Sequence, residues 1–454
     1  MKTALAVLGT VSCLCVAHPV AAQPSVPDVP PDRAREAAAA IHAPLARPTV
    51  SIGGVPTALD ALLRRADEHG PAVRVASAEV ELARAEQGAA TPLLPDNATL
   101  QLGLGQRRAT SGGTAVDAEV QLLQPIEIGG QRRLRREVAA AARLSRERSL
   151  ERVRWELHQR VHATYRLAIA TRERAALTQQ LAQVAEQLLD IARRRARAND
   201  VAPLVVRIAE AEAAQARQRA VAALQDYRSV CLQLAELSGW DGVQPPEPVG
   251  DLPSPQHAPS LQQLMDVALE HNVDLRQLRA ENDEALSRAR LAARDAYPDP
   301  AIGVQYGYEG ATQAGGAQHI VMGVLQLPIP SFALNQEGRA RAAAQQGVAE
   351  AQRDARAAVL VARIERLRTS VDAAAERVEA FGSDVLPRFS ENLSMVREAF
   401  ALGEYDILRV SVALERFLAV QQQALDAYVD YFNAVAELEL QLGREIWPDE
   451  EVAS

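Results

Sequence analysis

Lysine is almost absent from this chain of 454 residues, in which Lys2 is the one lysine. A P-loop needs a lysine on the nucleotide phosphates, and Schiff-base catalysis needs a lysine amine. Neither chemistry has its residue once an N-terminal leader is removed. The sequence therefore argues against nucleotide-driven work and against an imine-forming enzyme.

Cysteine, long apolar runs and excess positive charge are also lacking. After Ala22 the sequence contains Cys231 alone, so no disulfide forms within a mature chain. It contains no run of 18 apolar residues after that point, which argues against a transmembrane helix. The net charge of -9 disfavours a nucleic-acid partner held by phosphate attraction.

The first residues have the pattern of an export signal. A mostly apolar stretch, Ala4 to Ala17, is too short to span a bilayer, and Val20-Ala21-Ala22 fits a small-residue cleavage site. We predict a signal peptide over 1–22, with lipid attachment at Cys13 as the alternative left open. Residues 23–56, rich in Pro, Ala and Val, are expected to be irregular.

The remainder of the chain is present twice. The aligned pairs, 203 or 204 residues apart, are Pro95 with Pro298, Asp96 with Asp299, Tyr227 with Tyr431 and Gly239 with Gly443. Duplication on this scale means that one building block is used twice. We predict repeat 1 over 57–241 and repeat 2 over 260–444. A proline-rich linker without regular structure joins them over 242–259, and a tail follows over 445–454.

Each repeat is predicted to run from a first helix through a strand pair to a very long helix, a turn and a returning helix. The first helices cover about 57–90 and 260–296. The strands, which alternate apolar with polar or small residues, cover about 98–106, 116–124, 301–309 and 318–327. Such alternation suits a strand with one face to lipid and one to water. Four strands cannot close a barrel and open edges are not tolerated in lipid, so a barrel has to be shared between chains.

The long helices carry a seven-residue hydrophobic repeat. In repeat 2 it consists of Leu360, Ile364, Leu367 and Val371. This spacing specifies coiled-coil packing. In repeat 1, a helix from Gln131 to Ala198 would be roughly 100 Å long at ~1.5 Å per residue. Pro387 is expected to kink the long helix of repeat 2.

Short motifs point to a known family. Val385-Leu386-Pro387 is followed by Ala399-Phe400-Ala401-Leu402-Gly403, and Pro-Asp precedes the first strand of each pair. With the duplication, these features resemble the TolC family of outer-membrane efflux proteins over roughly residues 57–444. The strand-to-helix junctions 124–132 and 327–338 resemble the branch that serves heavy-metal cation pumps of the RND type.

The resemblance implies a mainly α fold with a small β part, in which a helix, a β-hairpin and a long coiled-coil hairpin occur twice. It implies a homotrimer with a twelve-stranded β-barrel in the outer membrane, in contact with lipid, and an α-helical barrel in the periplasm. Such a protein is a passive duct without a cofactor or a catalytic site. An inner-membrane RND pump supplies the energy, and a periplasmic adaptor protein links the two. The expected cargo is heavy-metal cations, with drugs and type I secretion of polypeptides as alternatives.

The same resemblance places the duct entrance and the adaptor docking site at the tips of the helical hairpins. The residues expected there are Asn199, Asp200, Leu402, Gly403, Glu404, Tyr405 and Asp406. Drug-type channels carry two aspartates just after the second tip, and this chain has Arg409 and Val412 at those positions. Arg409 is therefore a candidate gate residue. Asp406 and Glu404 are the remaining candidates for an acidic ring, the alternative being acids favoured by the helix dipole.

Two histidines have a spacing that can bind zinc. His158 and His162 lie four residues apart on one helix face, but Gln159 replaces the glutamate of a metalloprotease helix. We interpret them as a solvent-facing pair and predict no metal site. Cys231 follows the heptad spacing of its neighbours and is predicted to be a small core residue.

Two other functions compete with a duct. A soluble periplasmic adaptor or scaffold built on coiled-coil hairpins would show one hairpin and many short strands, whereas this sequence predicts two hairpins and four long strands. An exported enzyme would need a catalytic arrangement, and no Ser/His/Asp or paired-carboxylate motif stands out. We therefore favour the duct.

Overall fold

The structure is a computed structural model, and it describes residues 48–94, 96–108, 113–311, 315–381 and 388–447. The predicted signal peptide, with Cys13, and the motif at Pro387 lie outside the described residues. None of the helices in this part of the chain combines the length and the apolar composition that crossing a bilayer requires.

Nine helices and six strands, counted over the described residues, follow one another in an order that repeats. The helices are α1 (Leu59–His69), α2 (Pro71–Ala89), α3 (Gln131–Arg197), α4 (Pro203–Ser238), α5 (Leu261–His271), α6 (Val273–Arg294), α7 (Gln336–Phe381), α8 (Arg388–Ala401) and α9 (Ile407–Leu442). The strands are β1 (Val55–Thr57), β2 (Thr99–Arg108), β3 (Thr114–Pro125), β4 (Pro246–Pro248), β5 (Ala301–Glu309) and β6 (Gln318–Gln326). In each repeat two short helices lead to a strand pair, and the strand pair leads to the long helices.

Long helices form most of the molecule. Leu360, Ile364, Leu367 and Val371 of α7 are buried, so the face that carries the heptad spacing is the face that packs. The longest helix, α3, has 67 residues and is therefore roughly 100 Å long. It packs along α4, and α7 packs on α6 and α9. The mainly α fold with long helical hairpins is confirmed, and so is the burial of Cys231 in α4.

The first helix of each repeat is broken into two, which the sequence did not predict. In repeat 1, α1 ends at His69 and α2 begins at Pro71, whose ring fixes φ and supplies no N–H. In repeat 2, the side chain of Asn272 accepts a hydrogen bond from the N–H of Leu275 (2.7 Å) and caps α6. The prediction of single helices over about 57–90 and 260–296 was wrong at these two joints.

A glycine ends the last helix of each repeat. Gly239 and Gly443 have φ of +62° and +75°, a left-handed conformation that favours glycine. A Cβ on Gly239 would lie 2.4 Å from the carbonyl oxygen of His69, and one on Gly443 would lie 2.0 Å from that of His271. The ends of α1 and α5 therefore pack directly against the turns that follow α4 and α9.

Gly443→Ala is expected to lower the melting temperature of the protein. The left-handed conformation costs an L-residue about 1–2 kcal/mol, and the new methyl group has to displace the backbone at His271. Gly130→Ala is the matched control, because Gly130 also has a positive φ (+80°) but no described atom within 4 Å of its Cβ position. Thermal unfolding followed by circular dichroism should show the larger loss for Gly443→Ala. Equal losses would mean that the contact with His271 does not matter.

The four long strands form one antiparallel sheet in the order β2-β3-β5-β6. The central ladder joins the two repeats, since β3 pairs with β5, with Leu123 opposite Gly303. On β2, the side chains of Leu100, Leu102 and Leu104 are 59%, 70% and 84% exposed. Within the described part of the chain, β2 and β6 each pair on one side alone. Both edges of the sheet are therefore open in a single chain.

A short parallel pair, β1 with β4, joins the segment before repeat 1 to the linker. The carboxylate of Glu247 accepts hydrogen bonds from the N–H groups of Ile52 (2.8 Å) and Gly54 (2.7 Å) and from the hydroxyl of Ser51 (3.0 Å). The composition predicts irregular structure over 23–56 and in the linker, and this is wrong where Val55–Thr57 begins and for Pro246–Pro248. Proline has a low strand propensity because it cannot donate to a ladder, which hides the pairing from sequence reasoning.

Candidate functional site

Two turns connect the long helices, and they carry the predicted docking residues. The first runs from α3 to α4, where Asn199 takes a left-handed conformation (φ +60°) and Pro203 opens α4. The second runs from α8 to α9, where Gly403 has a φ of +81° and Asp406 is the N-cap of α9. Each turn therefore contains a residue type that tolerates the left-handed backbone and one that starts the next helix.

Arg195 of α3 connects the two turns. Its Nε donates a hydrogen bond to Oδ2 of Asp200 (2.6 Å) in the first turn, and its Nη1 donates to the carbonyl oxygen of Phe400 (3.0 Å) in α8. Gly403 also lies against it, since a Cβ there would be 3.3 Å from Nη2. The structure thus brings Asp200 and Gly403 together through a residue that no sequence pattern singles out.

One hydrophobic core lies beneath both tips. It brings Leu188 of α3 together with Leu393 and Phe400 of α8, and each is at most 3% exposed. Arg397 of α8 is also buried, and its Nη1 donates to Oε1 of Gln187 in α3 (3.0 Å). Burial lowers the pKa of Arg397 from its ordinary value. Because the two tips share this core, a displacement of one disturbs the other.

The second tip presents an accessible surface that is partly apolar. Leu402 is 66% exposed and Tyr405 is 46% exposed, and Glu404 is exposed between them. The carboxylate of Asp406 accepts a hydrogen bond from the N–H of Arg409 (2.8 Å), which is the ordinary role of an N-cap. The Arg409 guanidinium lies 3.8 Å from the same carboxylate, and its side chain is 72% exposed. A gate role for Arg409, Asp406 or Glu404 stays a prediction.

The histidine pair of α3 is half-buried and is not the exposed pair that the sequence predicted. The side chains of His158 and His162 are 29% and 18% exposed. Oε1 of Glu445 lies 2.5 Å from Nε2 of His158 and 3.2 Å from Nε2 of His162. Glu445 follows the glycine that ends α9, so the chain turns back over α3 at this point. The interpretation of a solvent-facing pair was wrong, because the covering residue comes from 287 residues away.

Two carboxyl groups near these histidines have opposite electrostatic surroundings. The contact with the imidazole of His158, and next the nearby imidazole of His162, hold the pKa of Glu445 well below its usual range. Burial raises the pKa of Glu439 to about 7, although the N–H of Ile446 donates to its carboxylate (2.8 Å). Among the described residues, His158, His162 and Glu445 are the group whose donor atoms lie close enough together to hold a metal ion.

Comparisons with known proteins give one family and one fold. The family described as outer membrane efflux protein matches residues 62–240 and 264–444, once in each repeat. A relative in sequence is the cobalt-zinc-cadmium resistance protein CzcC of Cupriavidus metallidurans, 25% identical over 338 residues, which cover 74% of this chain and 78% of CzcC. A similar solved structure is the CmeC outer membrane channel of Campylobacter jejuni (TM-score 0.67, 13% identity, 85% of each chain). Another is CusC (TM-score 0.65, 14% identity, 88% of this chain and 96% of CusC).

The family matches and the similar solved structures agree with the duplicated helical-hairpin fold described above. The family matches cover well over half of the chain, and both repeats take part. The solved channels share the fold over most of their length at low identity. A periplasmic adaptor is therefore not the class of this protein. The chain belongs to the outer membrane efflux protein family, as its sequence predicted.

Proposed function

We propose that three copies of this chain assemble into a passive duct for export across the periplasm and the outer membrane. The open edges of the sheet carry the proposal, because an unpaired strand edge in lipid leaves backbone groups without partners. Pairing β2 of one copy with β6 of the next would close three sheets into a twelve-stranded barrel. The exposed Leu100, Leu102 and Leu104 of β2 would then face lipid.

Heavy-metal cations are the proposed cargo. CzcC, to which the chain is 25% identical, is named as a cobalt-zinc-cadmium resistance protein. The junction motifs at 124–132 and 327–338 favour the same branch of the family. A duct needs no catalytic group, and we propose that this chain is not an enzyme and uses no cofactor for transport. Drugs and polypeptides are the alternative cargoes.

The two tips are the proposed entrance and the docking surface for a periplasmic adaptor, with an inner-membrane RND pump as the source of energy. The accessible Leu402 and Tyr405 suit burial against a partner helix. Arg195 holds the second tip to the first, so an adaptor would meet both together. The proposed docking surface consists of Asn199, Asp200, Leu402, Gly403, Glu404, Tyr405 and Asp406, and Arg409 is the proposed gate residue.

Leu402→Asp is expected to abolish export without preventing assembly. The change puts a charge on the docking surface, whereas a side chain that is 66% exposed contributes little to folding. In a strain without the chromosomal gene, the wild-type chain should lower cellular zinc, cobalt and cadmium. Leu402→Asp should leave the metal content at the level of the deletion strain. Leu82→Asp is the matched control, because Leu82 is 61% exposed on α2 and lies outside the tips.

The same cells test the competing cargoes and the assembly. Trimer content is measured by native electrophoresis after extraction in mild detergent. A monomeric wild type that forms no conducting pores in planar lipid films would contradict the duct. Altered drug tolerance with unchanged metal content would assign a drug duct instead. Normal metal export by Leu402→Asp would contradict the proposal that the adaptor docks at the tip.

A further inference from the structure

Three side chains of types that commonly bind metals, His158, His162 and Glu445, lie together beside the turn after α9. We call them the His–His–Glu cluster. Their donor atoms all lie within 4.8 Å of one another. The two imidazoles are one helical turn apart on α3, with ring centroids separated by 4.7 Å. Nε2 of His162 is shielded from solvent and has no hydrogen-bond partner among the described residues, although Oε1 of Glu445 lies 3.2 Å away. A shielded nitrogen of this kind requires an explanation, and an ion is one.

The surroundings hold the cluster in place. The indole of Trp155 stacks on the ring of His158 (centroids 5.2 Å apart, planes at 14°), and its Nε1 donates to the carbonyl oxygen of Glu439 (3.2 Å). The carboxylate of Glu439 accepts a hydrogen bond from the N–H of Ile446 (2.8 Å), the residue next to Glu445. These contacts fix the turn against α3. The carboxylate and the imidazoles are therefore presented to each other before any ion binds.

Repeat 2 lacks such a cluster, so the shared fold does not require it. The positions that correspond to the two histidines lie in 361–366, which contains no histidine. The counterpart of Glu445 in repeat 1 is Asp241, and its carboxylate pairs with Arg65 at 2.6 Å. An ordinary salt bridge therefore satisfies this turn in one repeat. At the turn that ends repeat 2, by contrast, Glu445 meets two histidines of the long helix of repeat 1.

We propose that the His–His–Glu cluster binds a divalent transition-metal cation of the zinc type. Zinc binds imidazole nitrogen at ~2.0–2.1 Å and carboxylate oxygen at ~2.0–2.2 Å, so two tetrahedral ligand atoms are roughly 3.3–3.5 Å apart. The 3.2 Å between Glu445 and His162 is close to that spacing, and a small rotation of the Glu445 side chain lengthens the 2.5 Å contact to His158. Three protein ligands leave one position for water. A cavity of about 490 Å³, bordered by His162 and Glu445, gives that position access to solvent.

The bound ion cross-links the two repeats. His158 and His162 belong to the long helix of repeat 1, whereas Glu445 follows the last helix of repeat 2. The ion replaces a direct histidine–carboxylate contact with three metal–ligand bonds. This role is independent of the cargo, since a resident ion stabilises the packing of the repeats whatever passes through the duct.

Zinc binding tests the proposal on assembled protein without an affinity tag. After treatment with a chelator, equilibrium dialysis with metal analysis should give one zinc ion per chain. Cobalt(II) in the same site should give the visible absorption of a four-coordinate complex. His162→Gln and Glu445→Gln are each expected to weaken zinc binding at least about tenfold, because even loss of an outer partner costs ~10–100-fold. His69→Gln, which changes an exposed histidine at the end of α1, should bind zinc as the wild type does.

Thermal unfolding gives a second measurement. Zinc should raise the melting temperature of the wild type and of His69→Gln, and at the same zinc concentration it should raise that of Glu445→Gln less. The proposal would be overturned if the wild-type protein did not bind one zinc ion per chain in equilibrium dialysis. Unchanged zinc affinity in both His162→Gln and Glu445→Gln would overturn it as well. If a variant fails to assemble, the stoichiometry and the melting shift of the wild type decide, and neither depends on whether the duct carries metals.

Discussion

Gly303→Ala is expected to remove most of the trimeric channel from the outer membrane. Gly303 lies in β5 opposite Leu123 of β3, in the ladder that joins the two repeats. A Cβ at this position would lie 2.0 Å from the carbonyl oxygen of Leu122, a backbone atom that cannot rotate away. The strands would have to separate locally, and overpacking of this kind costs about 1–3 kcal/mol. Since ~1.4 kcal/mol corresponds to a factor of ten, we expect the amount of extractable trimer to fall about tenfold or more.

Gly307→Ala is the matched control for this prediction. Gly307 lies on the same strand and the same face as Gly303, but its Cβ would meet Cβ of Ile320 at 3.9 Å, an ordinary contact. Native electrophoresis of mild-detergent extracts should give wild-type amounts of trimer for Gly307→Ala. Equal amounts of trimer in the two variants would contradict the role assigned to the contact with Leu122.

Periodicity made the architecture predictable. Leu360 and Ile364 follow the heptad spacing because each faces the same neighbouring helices, and both are buried. Leu102 and Leu104 alternate with smaller or polar residues because a strand turns successive side chains to opposite faces. Both patterns describe one element in one environment. A single sequence therefore reveals them without any knowledge of the partner element.

The joints between short helices had a local signal that periodicity obscured. Pro71 follows Gly70, and a proline at that place commonly starts a helix. Apolar residues continue at helical spacing on both sides, so the two helices resemble one. Asn272 caps α6 with its side-chain oxygen, but asparagine also commonly ends a helix because it tolerates a left-handed backbone, and only the structure distinguishes the two roles.

Contacts between the repeats could not be predicted from the sequence. Arg195 is the last of three consecutive arginines, and successive side chains point ~100° apart around a helix. One of the three faces α8, and the sequence does not tell which. His158 and His162 have a clear local spacing, but a residue 287 positions away determines their surroundings. Polar residues on a long helix usually indicate a solvated face. Here the chain that turns at Gly443 places Glu445 over the face that carries the two histidines.

Arg195→Ala is expected to loosen the tips and to raise the basal conductance of the channel. The guanidinium donates to Asp200 (2.6 Å) in the first tip and to the carbonyl oxygen of Phe400 (3.0 Å) beside the second. It also lies 5.5 Å above the Phe400 ring, and its side chain is 20% exposed. The part-buried hydrogen bond from the charged guanidinium to Phe400 contributes ~1.5–3 kcal/mol, which corresponds to a factor of roughly 10–100. The Asp200 pair adds little, because its carboxylate is 56% exposed. Single-channel recordings in planar lipid films should therefore show a basal open probability about tenfold or more above that of the wild type.

Arg194→Ala is the matched control, since it removes the same charge one residue earlier. Arg194 pairs with Asp190 (2.9 Å) in its own helix, and the two side chains are 62% and 61% exposed, so the pair contributes little. This variant should conduct as the wild type does. Leakage in both variants would assign the effect to the net charge of the tip. Tight closure in both would mean that the buried core shared by the tips holds them together without Arg195, and the proposed link between the two turns would be wrong.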